Sequence, residues 1–171
     1  MLKHGLARDR ARTIGEVIDA RHRPDAGARV TGRVVHVGAP GRGKGVDTAI
    51  EALAAAPEWT LVCLGARERE TAELETQAKS VLGDRVSMAT VPPEQVAAEL
   101  ARADVFMLPT RSEGFGMAVL EAMAHGLPCL LADLEVLRWL AGDGAWFLPA
   151  EDPAAWAEAL RRMDGPTKRG L

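Results

Sequence analysis

Residues 34–65 read VVHVGAPGRGKGVDTAIEALAAAPEWTLVCLG. Val34-Val35-His36-Val37 is a short β-branched run that stops at Gly38. A glycine-rich stretch follows to Gly45. Thr48 to Ala56 then set Ala49, Ile50, Leu53 and Ala54 on one face of a helix. Thr60-Leu61-Val62-Cys63-Leu64 is a second apolar run, closed by Gly65. A strand that is apolar throughout is buried on both faces. Two such strands joined through a helix are parallel, with a right-handed crossover.

The same alternation continues to the end of the chain. Arg67 to Val81 reads as a charged helix ending at Gly83, and Arg85 to Thr90 as a third strand. Pro93 to Ala103 is helical with Val96, Ala97 and Leu100 inward. Val105-Phe106-Met107-Leu108 is a fourth strand, and Phe115 to His125 a helix capped at Gly126. Cys129 to Leu131 is a fifth strand, Leu134 to Leu140 a helix and Trp146 to Leu148 a short strand. Pro153 to Met163 is the last helix, beginning just after Asp152. The fold class is therefore α/β: a doubly wound, Rossmann-like parallel sheet. It occupies residues 33–163, after a basic segment or linker at 1–32 and before a loose tail at 164–171.

Composition narrows the function classes. The chain has 171 residues, 47% of them apolar and 26% charged, an ordinary balance for one globular domain. The formal net charge of −3 disfavours nucleic acid as a partner. No run approaches the roughly 20 apolar residues of a membrane span. The basic N-terminus is followed by no apolar signal core, so the expected location is cytoplasmic. Residues 1–33 carry eight Lys/Arg against four Asp/Glu, including Lys3, Arg8, Arg10, Arg12, Arg21 and Arg23. This head reads as a solvated helix or linker; contact with an anionic membrane surface, at most peripheral, is the competing reading. Cys63 and Cys129 sit in apolar runs and read as buried small hydrophobes, and no metal-ligand spacing is present.

In a sheet of this kind, ligands bind beyond the carboxyl ends of the strands. Two segments there carry chemistry. The first is Gly38-Ala39-Pro40-Gly41-Arg42-Gly43-Lys44-Gly45. Its glycines let backbone N–H groups approach an anion at a helix N-terminus, and Lys44 adds a mobile positive charge. The spacing is one residue away from a P-loop, with Gly45 where a Ser or Thr hydroxyl would hold Mg²⁺ and Asp133 as the strand acid. The bland alternative is a glycine-rich turn with one exposed lysine. The second segment runs from Ser112-Glu113-Gly114-Phe115-Gly116-Met117-Ala118 to Glu121. Its glycines open N–H groups at a helix start. Eight helical positions between Glu113 and Glu121 would separate the carboxylates by roughly 12 Å. They would then share neither a proton nor a metal, but could grip opposite parts of one extended ligand. The bland alternatives are a capping carboxylate for Glu113 and a solvated helix face for Glu121.

Across residues 33–163 these segments resemble the nucleotide-sugar half of retaining glycosyltransferases with two Rossmann-like domains, the GT-B architecture of the group 1 (family 4) type. The signature of that family, a glutamate, seven residues and a second glutamate, is matched by Glu113 and Glu121. It is flanked by Pro109-Thr110-Arg111-Ser112 before it and Ala122-Met123-Ala124-His125-Gly126-Leu127-Pro128 after it. Ala103 to Pro109, Asp133 to Arg138, Ala141-Gly142-Asp143 and Asp152-Pro153 carry the same resemblance. It implies a nucleotide-diphosphate sugar as donor substrate, with no cofactor and no metal. Lys44 and Glu113 would act in hexosyl transfer. Lys44, with Gly38 and Arg42 in its loop, would contact the diphosphate. Glu121 would accept from the ribose hydroxyls, and Glu113 with Gly114 and the N–H groups of Phe115 and Gly116 would hold the sugar. The N–H groups of Met117 and Ala118 would face the phosphates, and the base would lie near Val91.

The chain departs from that family in three places. Ala39 stands where an arginine is usual, with Arg42 as the nearby substitute. Trp139 stands where many relatives carry an acid. The resemblance implies an acceptor-binding domain before residue 33, where this sequence carries the short basic segment. The readings are therefore a donor domain that needs an acceptor domain or a second copy, a non-catalytic nucleotide-sugar or partner module, or a P-loop-like NTPase. His36 reads as a satisfied core histidine, His125 as a helix-end cap, and His4 and His22 as surface residues. Trp139 and Trp146 read as packing together or against a domain interface.

Overall fold

A computed structural model describes residues 31–163. The basic head up to residue 30 and the tail from 164 lie outside the described residues. The elements are β1 Arg33–Val37, α1 Val46–Ala54, β2 Thr60–Leu64, α2 Thr71–Leu82, β3 Val86–Ala89, α3 Pro93–Arg102, β4 Val105–Leu108, α4 Met117–Ala124, β5 Cys129–Ala132, α5 Glu135–Ala141, β6 Ala145–Leu148 and α6 Pro153–Arg162. The six strands are all parallel, in the order β3-β2-β1-β4-β5-β6. This is the doubly wound order in which the winding reverses between β1 and β4, and the reversal opens a crevice at the carboxyl end of the sheet.

The apolar runs are the buried strands. Every residue of β4 and β5 is buried, as are Leu61 to Leu64 of β2. Ile50 and Leu53 of α1 and Trp156 of α6 are fully buried over that surface. Trp156 Nε1 keeps a partner there by donating to Pro149 O at 2.7 Å. Arg85 ties the end of α1 to the start of β2: its Nη1 donates to Leu53 O in the last turn at 3.1 Å and to Trp59 O at 2.9 Å. Asp152 caps α6 as its place in the sequence predicts, accepting from Ala155 N at 3.2 Å. No described helix is long and apolar enough to cross a membrane.

Four helix starts differ from the sequence expectation, that of α5 by one residue, at Glu135 rather than Leu134. Helix α1 begins at Val46 rather than Thr48, because Gly45 takes a left-handed conformation (φ 72°) and its carbonyl accepts from Ala49 N. Helix α2 begins at Thr71 rather than Arg67. The Thr71 hydroxyl accepts from Glu68 N at 2.8 Å and donates to Pro40 O at 2.9 Å, which ties the segment before the helix to the first loop. Helix α4 begins at Met117 rather than Phe115, since Gly116 turns left-handed at φ 98°. Trp139 is 65% exposed and packs edge-on against Phe115, with ring centroids 6.1 Å apart, rather than against Trp146. The thiols of Cys63 and Cys129 are buried and free, and burial pushes both up to about 12.

Candidate functional site

The two glycine-bearing loops meet at the crevice. The first leaves β1 at Gly38, whose N–H donates to Leu64 O at 2.8 Å. It makes a single 3₁₀ turn over Arg42–Lys44 and enters α1 through Gly45. The loops touch there: a Cβ on Gly45 would stand 1.8 Å from Pro109 O at the end of β4. The second loop fastens back to the first, with Arg111 N donating to Gly43 O at 2.9 Å. The Arg111 guanidinium also grips both oxygens of Asp47 in the first turn of α1, at 2.9 and 3.0 Å, and reaches Glu151 at 2.8 Å. Burial would raise the Asp47 carboxyl, but the hydrogen bonds and charge of Arg111 outweigh it and hold the carboxyl below its usual range. The same bonds to Asp47, with those to Glu151, push Arg111 up. This bidentate clamp is the strong geometry for an arginine–carboxylate pair.

The clamp brings Lys44 and Glu113 together. Lys44 Nζ donates to Glu113 Oε2 at 2.8 Å. The other oxygen, Oε1, accepts from Gly114 N at 2.9 Å and Phe115 N at 3.4 Å. Burial opposes the charged carboxylate. The Lys44 hydrogen bond, its charge and the two backbone N–H groups overcome that opposition and hold Glu113 below the usual carboxylate range. Met117 and Ala118 open α4, and Val119 N is the first to bond back, to Gly116 O at 2.9 Å. The N–H groups of Met117 and Ala118 thus belong to the open end of the helix, where the dipole favours an anion.

Glu121 lies on the second turn of α4, half-buried. Burial pushes its carboxyl up, with the His125 charge opposing. Only the four steps from Met117 to Glu121 are helical, which is about 6 Å of rise. The 12 Å helical separation expected between Glu113 and Glu121 therefore does not apply. His125 ends α4 as expected, with Nδ1 2.8 Å from Glu121 O. Gly116 faces α5 closely enough that a Cβ there would meet Leu140 Cδ2 at 2.9 Å.

Arg42 is not brought to the Lys44–Glu113 pair. Its guanidinium donates to Glu73 of α2 at 2.8 Å and reaches Asp47 at 3.6 Å, while its own N–H is taken by Glu70. Val91 is half-buried against the core after β3. The sequence does not mark Asp47 and Arg111, which join the two loops, as site residues. Their signal is one carboxylate at a helix start and one arginine in a loop, and neither type of residue is unusual there. No three His, Cys, Asp or Glu side chains among the described residues are grouped so as to hold a metal ion.

His36 lies at the floor of the crevice, fully buried, with Nδ1 3.1 Å from Met107 O. Burial chiefly, with the nearby Lys44 charge, lowers its pKa to about 4 against an ordinary 6.5. The unfolded chain takes up this proton as the pH falls through 6.5, and the folded chain does so only near 4. The contribution of neutral His36 is therefore complete above 6.5 and is lost on the way down to 4. The expected loss is about 3 kcal/mol. Urea unfolding at pH 4.5 and 7.5 tests it: His36→Phe should show a smaller drop than the natural chain by about this amount, and an equal drop in the two refutes the assignment.

A model of the family described as Glycosyl transferases group 1 matches residues 31–163. The GDP-mannose:cellobiosyl-diphosphopolyprenol alpha-mannosyltransferase of Xanthomonas campestris is 33% identical over 147 residues, which are 81% of this chain and 38% of that protein. Sucrose-phosphate synthase from Thermosynechococcus elongatus superposes with a TM-score of 0.71 at 28% identity, over 87% of this chain and 40% of that one. Anabaena HepE, solved in complex with UDP and glucose, superposes with a TM-score of 0.71 over 81% of this chain and 40% of that one. At 21% identity, that likeness is one of fold. The chain spans 38–40% of the length of these proteins.

Proposed function

The chain belongs to the glycosyl transferases group 1 family, and from that premise we propose that residues 33–163 are the donor domain of a retaining hexosyltransferase using a nucleotide-diphosphate sugar. The observation that carries this reading is the Lys44–Glu113 pair, held at the switch point beside the open end of α4. The two groups satisfy one another. A bound donor replaces each with a better partner: the diphosphate takes the Lys44 ammonium, and sugar hydroxyls donate to the Glu113 carboxylate. The N–H groups of Met117 and Ala118 face the phosphates, and Glu121 accepts from the ribose. Charge developing on the leaving diphosphate is then stabilised by Lys44 and the helix end, without a metal ion. A cytoplasmic setting suits the two free thiols. The acceptor side of the cleft comes from another domain or from a second copy.

A second reading, a nucleotide-sugar binding module without turnover, draws on one observation. Ala39 stands in place of the expected arginine, and Arg42, the nearby substitute, is committed to Glu73 and Asp47. A P-loop NTPase is disfavoured by the close approach at Gly45, which leaves no room for the Mg²⁺-binding hydroxyl.

Calorimetry with UDP, GDP and ADP and their sugar conjugates, with and without Mg²⁺, tests the proposal. Metal-independent binding that Glu121→Ala removes is the expected result. Tight binding of Mg·ATP with no affinity for sugar nucleotides would reject it. Transfer to an added acceptor by the isolated chain is expected to be weak or absent.

A further inference from the structure

Strands β1 and β4 are ladder-paired at Val34↔Val105 and Val35↔Phe106. One residue further on, where the crevice opens, a side chain links them: the His36 Nδ1–H donates to Met107 O at 3.1 Å. A carbonyl only accepts, so Nδ1 holds the proton and Nε2 the lone pair. The imidazole is fully buried, and Nε2 has no hydrogen-bond partner. A histidine kept only for packing would have both nitrogens satisfied or be replaced by an apolar ring. This lone pair faces the first loop: a Cβ on Gly38 would stand 3.6 Å from Nε2, 3.8 Å from Lys44 Cγ and 3.9 Å from Lys44 Cδ. The unsatisfied acceptor and the Lys44 stem thus border one small space over Gly38, in a buried setting where charge–dipole attraction is strong.

We propose that His36 is a positioning residue for Lys44: the lone pair of its neutral ring, the negative end of the ring dipole, attracts the Lys44 side chain and keeps its ammonium aimed at Glu113. In the donor-bound state the same attraction steadies the ammonium for the diphosphate, and that second half rests on the donor-domain reading above. A protonated ring would repel Lys44 instead, so tying Nδ1–H to Met107 O is what turns the lone pair toward it.

Two variants separate positioning from packing. His36→Phe fills the same volume without a lone pair. In His36→Gln the amide N–H donates to Met107 O and the amide oxygen restores an acceptor. The first readout needs no nucleotide: the carbon-13 titration of the Glu113 carboxylate in the full chain. Its midpoint is expected to rise in His36→Phe, in the same direction as in Lys44→Ala, and to return in His36→Gln. An unchanged midpoint in folded His36→Phe overturns the proposal. Should His36→Phe fail to fold, nitrogen-15 spectra of the natural chain at pH 7 decide, since a proton on Nε2 would remove the lone pair and refute it. The second readout is calorimetry with UDP and GDP, where His36→Phe is expected to bind about five-fold more weakly. If the natural chain binds neither nucleotide, the donor reading fails while the Glu113 titration still decides the role of His36.

Discussion

Gly45→Ser is expected to unfold the domain or to lower its stability by more than about 4 kcal/mol. Two independent faults coincide at this position. The backbone is left-handed, at φ 72°, where a side chain is strained. A Cβ would also lie 1.8 Å from Pro109 O and 2.5 Å from Pro109 C. Both clashing atoms are main chain at the end of the fully buried β4, so no side-chain rotation relieves them. Relief would require the first loop to lift from the second, which breaks Arg111 N to Gly43 O and loosens the grip on Asp47. The control is Gly43→Ala in the same loop, where an added Cβ meets nothing within 4 Å. It is expected to change stability by less than about 1 kcal/mol. Thermal or urea unfolding of the two variants checks the pair. A Gly45→Ser protein within about 1 kcal/mol of the natural chain would mean that the loops do not meet as described.

Position 45 also shows what could be read from the sequence. Its glycine was visible as a departure from the P-loop pattern, while the cause, a carbonyl 64 residues away, was not. The sheet was legible because strands buried on both faces are uninterrupted apolar runs, and Val105 to Leu108 and Cys129 to Leu131 need no partner to declare themselves. Helix starts were less legible because their chemistry is tertiary here. The Thr71 hydroxyl is spent on Pro40 O, and Gly116 is left-handed where a Cβ would meet Leu140 of α5. Lys44, Glu113 and Glu121 stood out through their family pattern. Arg42 shows the opposite: in sequence it is the free cation beside the lysine, and in space Glu73, 31 residues on, has taken it. From the sequence His36 reads as a satisfied core residue; it is buried, and a hydrogen bond meets one of its nitrogens only.

Lys44→Ala is expected to weaken binding of UDP or GDP by about 100-fold, close to 3 kcal/mol. The size follows from where the pair sits. An exposed ion pair contributes about 0–1 kcal/mol. Here the side chains of Lys44 and Glu113 are only 34% and 15% exposed, so the ammonium meets a diphosphate in a partly desolvated crevice. Glu113→Gln separates the two halves of the ligand. It frees Lys44 from its resting partner, so affinity for the bare nucleotide should stay within about three-fold of the natural chain. It also exchanges a charged acceptor of hydroxyl hydrogen bonds for a neutral one, so the added affinity for the sugar conjugate over the bare nucleotide should fall about ten-fold. Calorimetry with each nucleotide, bare and sugar-linked, reads both effects. Lys44→Ala binding UDP and GDP as tightly as the natural chain would remove the diphosphate from this loop. An equal loss for bare and sugar-linked nucleotide in Glu113→Gln would assign Glu113 to holding Lys44 in place, with the sugar held elsewhere.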